Sequence, residues 1–110
     1  MAVTHRQIEK TFWLSTKNTS YVIGIVDEEQ FVGHLYYGKK IREQKMPDLF
    51  RIEEAPFVPS QNERDRISFL DAFPMEYPGN GLGDYREGAI AVRTKTGHTA
   101  VCPVFEGYEI

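Results

Sequence analysis

Residues 19–26 read Thr-Ser-Tyr-Val-Ile-Gly-Ile-Val, and this stretch alternates between two sets of side chains. Tyr21, Ile23 and Ile25 form one set, and the smaller or branched residues between them form the other. Because successive side chains of a strand point to opposite faces, a period of two predicts a β-strand here. This strand is the part of the chain from which the rest of the fold can be predicted.

The same pattern resumes at residues 31–37, Phe-Val-Gly-His-Leu-Tyr-Tyr. Strict alternation predicts that Phe31, Leu35 and Tyr37 share one face with Gly33. Only the four polar residues 27–30 separate the two stretches, and four residues is a common length for a hairpin loop. The two stretches therefore predict an antiparallel hairpin.

Further strands are predicted on both sides of this hairpin. Residues 11–15, Thr-Phe-Trp-Leu-Ser, are rich in β-formers, and the polar residues 16–18 indicate a turn. Residues 88–94 and 99–105 also alternate, and the sequence Lys-Thr-Gly-His between them predicts a hairpin turn with glycine at its positive-φ position. Pro103 indicates a sheet edge or a bulge in the returning strand.

The remaining stretches contain no convincing helix. Residues 39–45 are charged and weakly patterned, and residues 46–59 contain three prolines without periodicity. We therefore expect a mainly β fold, an antiparallel β-sandwich with little or no helix, in a single domain covering residues 1–110.

Composition excludes several classes of function. The formal net charge is −3, with acidic and basic residues mixed along the chain, so we expect no nucleic-acid or membrane partner. Cys102 is the only cysteine and the three histidines are scattered, so we expect a packed thiol, no metal and no cofactor. A cytoplasmic protein is expected, because no apolar leader segment is present at the N-terminus.

A glycine-rich loop is the most distinctive irregular segment. Pro78, Gly79, Asn80, Gly81 and Gly83 exclude regular structure, because proline fixes φ and the glycines tolerate positive φ. The loop should bring three charged residues together beside two tyrosines: Glu76, Asp84 and Arg86, with Tyr77 and Tyr85. This composition suits a polar hydroxylated ligand or a partner surface, and the alternative is a plain turn between strands.

Five short motifs follow one another in an order that resembles the N-terminal domain of family 36 glycoside hydrolases, the bacterial α-galactosidases. The resemblance runs from about Phe12 to Ile110 and rests on these pieces: Asn18-Thr19-Ser20-Tyr21, His34-Leu35-Tyr36-Tyr37-Gly38-Lys39, Asp65-Arg66 with Asp71, Glu76-Tyr77-Pro78, and Gly83-Asp84-Tyr85-Arg86. It implies a β-supersandwich fold and an enzyme that hydrolyses terminal α-galactosides of the melibiose or raffinose type.

The resemblance also implies that this chain is a non-catalytic segment. Family members carry two catalytic aspartates on a (β/α)8 barrel that follows the sandwich, and no residue here corresponds to either one. Retaining hydrolysis needs two carboxyl groups roughly 5 Å apart. The chain is therefore interpreted as the N-terminal segment of a larger glycosidase, with no catalytic residue of its own.

Two residues are carried over from the family as substrate-binding candidates at the rim of a neighbouring subunit's barrel. The family's Arg-Leu-Asp pattern is matched by Arg51-Ile52-Glu53, and its Asp-Arg pair by Asp65-Arg66, so the candidates are Glu53 and Arg66. Glutamate here replaces the family's aspartate. The resemblance further implies a homo-oligomer. For Asp84 and Arg86 the resemblance gives no definite ligand role, so binding a ligand and forming a buried ion pair that braces the loop are equal alternatives.

A second hypothesis is a stand-alone carbohydrate-binding or assembly module. In that case an exposed aromatic side chain would stack on sugar, and the strand residues Trp13, Tyr36 and Tyr37 are the candidates. Aromatic residues in strands more often belong to the core, which favours the enzyme-segment hypothesis.

Overall fold

The computed structural model describes residues 1–26, 30–46, 73–81 and 84–110. Glu53 and Arg66 lie outside these ranges. Within the described ranges the strands form a single four-stranded antiparallel sheet whose order follows the chain: β1 Ala2–Arg6, β2 Thr11–Ser15, β3 Thr19–Val26 and β4 Phe31–Lys39. None of the described residues is helical. The predicted mainly β, antiparallel fold is confirmed.

Two strands have the predicted bounds, and two differ. β2 and β3 begin and end at the predicted residues, and β4 extends two residues past Tyr37. β1 was not predicted, because Ala-Val-Thr-His-Arg has too few apolar residues to show a pattern. This strand forms through its pairing with β2, in which Thr4 lies opposite Trp13.

The prediction of strands at 88–94 and 99–105 is wrong, because these residues form no strand. The turn between them is confirmed. The amide of Thr94 donates to the carbonyl of His98 over 2.9 Å, and Gly97 has a φ of 91°. Alternation alone does not make a strand, because each arm also needs a neighbouring strand to accept its backbone hydrogen bonds.

A bulge in β4 overturns the predicted face of Tyr37. Val22 lies opposite Tyr36, whereas Ile23 lies opposite His34, so Leu35 is an extra residue in β4. An extra residue shifts the alternation by one position. Consequently Tyr36 shares a face with Phe31, and Tyr37 lies on the opposite face of the sheet.

One face of the sheet carries two apolar clusters. Buried Trp13, Val22 and Met46 form the first, and Leu35, Tyr36 and Ile41 pack against it. Buried Phe31 and Phe73 form the second, against which Val26, Met75 and Cys102 pack. The prediction of a packed Cys102 is confirmed. Burial of these side chains stabilises the sheet by roughly 1.5–3 kcal/mol for each large one.

The opposite face is partly covered by residues 105–110, which we call the C-terminal segment. The amide of Phe105 donates to the carbonyl of Gln30 over 2.8 Å, which fixes the segment at the β3–β4 end of the sheet. The ring of Tyr108 then packs edge-on against Phe12, with 4.9 Å between centroids. At the other end of this face, Tyr37 is exposed.

Candidate functional site

The glycine-rich loop closes as a narrow turn. The amide of Gly81 donates to the carbonyl of Asp84 over 2.6 Å, and the amide of Asp84 donates back to Gly81 over 3.1 Å. Asn80 and Gly81 both have positive φ, 60° and 98°. Asparagine and glycine are the residues that adopt this conformation most readily, so the local sequence accounts for the turn.

Asp84 and Arg86 form an ion pair at the base of this turn. The side chain of Arg86 donates from Nε to Asp84 Oδ1 over 2.9 Å and from Nη2 to Oδ2 over 3.2 Å. The backbone amide of Arg86 also donates to Oδ1, and Nη1 donates to the carbonyl of Phe73. Asp84 is only 2% exposed. This geometry braces the loop against the core, while a ligand role for the pair stays a prediction.

Glu76 lies in a different environment from the Asp84–Arg86 pair. Its Oε2 is 3.2 Å from Nδ1 of His34, and partial burial raises the pKa of the Glu76 carboxyl. Two backbone hydrogen bonds fix this arrangement: His34 donates to Pro74 over 2.8 Å, and Glu76 donates to Val32 over 2.9 Å. Glu76 and the Asp84–Arg86 pair thus belong to two separate polar clusters.

The three aromatic candidates for sugar stacking differ in accessibility. Trp13 is fully buried, and its Nε1 donates to Thr11 Oγ1 over 3.3 Å. Tyr36 packs against the Trp13 cluster, and its hydroxyl donates to the carbonyl of Lys39 over 2.8 Å. Tyr37 is 68% exposed. Among the three, Tyr37 is the one whose ring is accessible to a ligand.

Tyr21 lies between His34 and Tyr37, an arrangement that the pattern of residues did not predict. The rings of Tyr21 and His34 meet edge to face with 5.2 Å between centroids, and those of Tyr21 and Tyr37 are tilted at 5.7 Å. The cross-strand pairing of two predicted strands could have placed Tyr21 near β4. The bulge at Leu35, which decides the face, leaves no clear sequence signal.

A cleft of about 390 Å³ lies beside the glycine-rich loop. Asn80, Glu87 and Thr99 supply its polar side chains, and Ile90 and Val92 supply apolar ones. The loop approaches residues 100–103 closely here, because a Cβ on Gly79 would lie 2.0 Å from the carbonyl oxygen of Val101. Glycine is therefore required at position 79 by packing.

The described ranges contain no group of three or more His, Cys, Asp or Glu residues that could hold a metal ion. Nor do they include a helix with the length and apolarity that crossing a membrane requires. The expectation that the protein needs no metal or cofactor stays a prediction.

Comparison with known proteins gives a consistent result. The sequence profile described as "Glycosyl hydrolase family 36 N-terminal domain" matches residues 30–110. The chain is 35% identical over 112 residues to the bifunctional alpha-galactosidase/sucrose kinase AgaSK of Mediterraneibacter gnavus, a match covering all of this chain and 12% of that protein.

Solved structures agree with the sequence comparison. The galactosidase domain of AgaSK superposes with a TM-score of 0.85 at 32% identity, covering 98% of this chain and 15% of that one. A variant of alpha-galactosidase AgaA from Geobacillus stearothermophilus, solved in complex with raffinose, gives a TM-score of 0.71 at 32% identity, covering 83% and 12%. The chain thus spans less than a sixth of the length of these relatives.

Proposed function

Because this chain belongs to glycosyl hydrolase family 36 as an N-terminal domain, we propose that it is part of an α-galactosidase acting on terminal α-galactosides of the melibiose or raffinose type. The observation that carries the proposal is the match of the family's N-terminal domain across residues 30–110. The relative solved with raffinose supports the class of substrate.

Within this enzyme, the domain acts without catalytic residues of its own. A retaining glycosidase needs two carboxyl groups free to act on the glycosidic bond. Three described carboxylates instead contact basic side chains: Glu9 lies 2.6 Å from Arg6, Glu76 lies 3.2 Å from His34, and Asp84 lies 2.9 Å from Arg86. These partners support the view that none of the three carboxylates belongs to a catalytic pair.

The domain also contributes to the rim of the substrate site. Glu53 and Arg66 hold hydroxyl groups of the galactoside at the barrel mouth of a neighbouring subunit. Charged side chains suit this task, because hydrogen bonds to ionised groups are worth about 1.5–3 kcal/mol. The support for this role is the match of Arg51-Ile52-Glu53 and Asp65-Arg66 to family patterns.

Assembly is a further role of the domain. β1 pairs with β2 on one side, and none of the described residues forms a strand along its other edge. Ile90, Val104 and Ile110 are exposed as well. Open edges and apolar side chains favour association, so the chain forms a homo-oligomer. Light scattering that shows a monodisperse monomer would contradict this role.

The activity is tested with two proteins, this 110-residue chain and the full product of the gene that contains it. With an aryl α-galactoside, the full product should show glycosidase turnover. The chain alone should show none, because catalysis by paired carboxyl groups supplies most of the rate enhancement. Turnover by the purified chain would overturn the non-catalytic role, and an inactive full product would overturn the α-galactosidase assignment.

A further inference from the structure

Three aromatic rings and a carboxylate form a continuous row on the face of the sheet opposite Trp13. We call Tyr37, Tyr21, His34 and Glu76 the tyrosine–histidine row. Tyr37 lies directly opposite Tyr21 in the strand register, and the bulge at Leu35 brings His34 to the same face. The centroid distances along the row are 5.7 Å from Tyr37 to Tyr21 and 5.2 Å from Tyr21 to His34.

The two ends of the row differ in chemistry. At one end, Tyr37 exposes 68% of its surface, so the ring is accessible from solvent. At the other end, the Glu76 carboxylate and the His34 imidazole lie 3.2 Å apart. An accessible aromatic ring is thus linked through Tyr21 to a hydrogen-bond acceptor and to an imidazole that can donate or accept.

The backbone holds the polar end in place. Glu76 and His34 each donate a backbone hydrogen bond across the gap between β4 and residues 73–76, and Phe73 is fully buried. Gly33 and Met75 form an isolated bridge between the same segments. A site whose groups are fixed before binding loses less conformational entropy when a ligand binds.

We propose that the tyrosine–histidine row binds a neutral oligosaccharide, with one sugar ring stacked on Tyr37 and the hydroxyls of an adjoining sugar unit bonded to Glu76 and His34. A pyranose ring presents C–H bonds on one face and hydroxyls around its edge. The C–H face complements the electron-rich face of an aromatic ring, and the hydroxyls complement a carboxylate and an imidazole.

The charge of the row favours this class of ligand. Apart from its two phenols, the row contains one carboxylate and one imidazole, and Lys39 follows two residues after Tyr37 on the same side of the strand. The mixture lacks the cluster of cations that binds a phosphate or an acidic peptide. The choice of a galactoside as probe rests on the proposed function, whereas stacking on Tyr37 requires only a sugar ring.

The row is tested by titrating the ¹⁵N-labelled 110-residue chain with raffinose and following its NMR signals. The amide and ring signals of Tyr21, His34 and Tyr37 should shift together. Tyr37→Ala should weaken binding roughly tenfold, because it removes the stacking surface, whereas Tyr37→Phe should keep most of the affinity. Tyr85→Ala is the matched control, since Tyr85 is 74% exposed and lies outside the row.

Three outcomes would overturn the proposal. The first is that raffinose shifts none of the row's signals, and the second is that Tyr37→Ala binds raffinose as tightly as the wild type. The third is that Tyr37→Ala converts an oligomer to a monomer without affecting raffinose binding, which would make the row an interface between copies. Activity of the full gene product on an aryl α-galactoside is measured separately, so failure of the row and failure of the proposed function are distinguishable.

Discussion

The hydroxyl of Tyr108 lies 2.7 Å from Nδ1 of His5, so a hydrogen bond joins the two ends of the chain. The ring of His5 stacks on Phe12 with 4.4 Å between centroids, and Tyr108 packs edge-on against the same phenylalanine. The C-terminal segment is thereby attached to β1 and β2.

Removal of the Tyr108 side chain should destabilise the fold. We expect Tyr108→Ala to lower the free energy of unfolding by about 1 to 2 kcal/mol, since it removes aromatic contacts and a hydrogen bond. Tyr108→Phe, which loses only the hydrogen bond, should cost about 1 kcal/mol or less. Urea denaturation measures both, with Tyr85→Ala as control. Equal stability of all three variants would contradict an attached C-terminus.

Arg86→Ala should destabilise the protein by about 1.5 to 3 kcal/mol, because it leaves the buried Asp84 carboxylate without its cation. Arg93→Ala is the matched control, since Arg93 is exposed and its replacement should change stability by about 0.5 kcal/mol at most. Thermal unfolding of the two variants beside the wild type measures the difference. Similar melting temperatures for Arg86→Ala and Arg93→Ala would show that the pair does not brace the loop.

Gly79→Ala should destabilise the loop, whereas Gly107→Ala should be neutral. A Cβ at position 79 would overlap the carbonyl of Val101, and a Cβ at position 107 would meet no atom within 4 Å. Overpacking of this kind costs roughly 1–3 kcal/mol. Denaturant unfolding of both variants decides the point, and a Gly79→Ala protein as stable as Gly107→Ala would refute the close approach of the loop to residues 100–103.

The stability should depend on pH through Glu76. Burial raises the pKa of Glu76 in the folded state above its ordinary value of 4.5, so the folded protein holds this proton more tightly than the unfolded chain does. The contribution of Glu76 to the free energy of unfolding is therefore fully present below pH 4.5 and is lost as the pH rises through the raised pKa.

Glu76→Gln should remove this part of the pH dependence. We expect the free energy of unfolding of the variant to fall less than that of the wild type as the pH rises from 4.5. Urea denaturation over a pH series measures the two curves. Glu106→Gln, at an exposed position, provides the control curve. Parallel curves for the wild type and Glu76→Gln would exclude Glu76 as the cause.

Arg66→Ala in the full enzyme should lower kcat/KM by roughly tenfold to a hundredfold, the effect of one lost charge-assisted hydrogen bond. Arg42→Ala, at an exposed described position, should leave kcat/KM unchanged. Mixing Arg66→Ala subunits with catalytically inactive subunits should restore activity at some sites, because the contact crosses a subunit boundary. Unchanged kinetics and unchanged oligomer stability for Arg66→Ala would identify Arg66 as ordinary surface charge.

The sequence predicts those parts of the fold that follow from local pattern. β2 and β3 were predicted to the residue because their alternation is strong, whereas β1 depends on pairing with β2 rather than on its own composition. Residues 88–94 show the reverse case. They have the alternating pattern of a strand, but they pair with no described strand, and the prediction failed.

The candidate sites were predicted less completely. The Asp84–Arg86 pair could be anticipated because a single residue, Tyr85, separates the two in sequence and a tight loop brings both to one side. The contact of His34 with Glu76 could not, because it depends on how residues 73–76 dock beside β4. The position of Tyr37 depends on a single extra residue in β4, and a pattern of period two cannot locate such an insertion.

The strand order β1-β2-β3-β4 has a consequence for folding during synthesis. Each strand pairs with its neighbour in the chain, so the sheet needs only contacts that are local in sequence and can form as soon as Lys39 leaves the ribosome. At roughly 5–20 residues per second, Tyr108 follows several seconds later. During that interval Phe12 lacks the rings of Phe105 and Tyr108 that pack against it in the folded protein, so the nascent sheet exposes apolar surface.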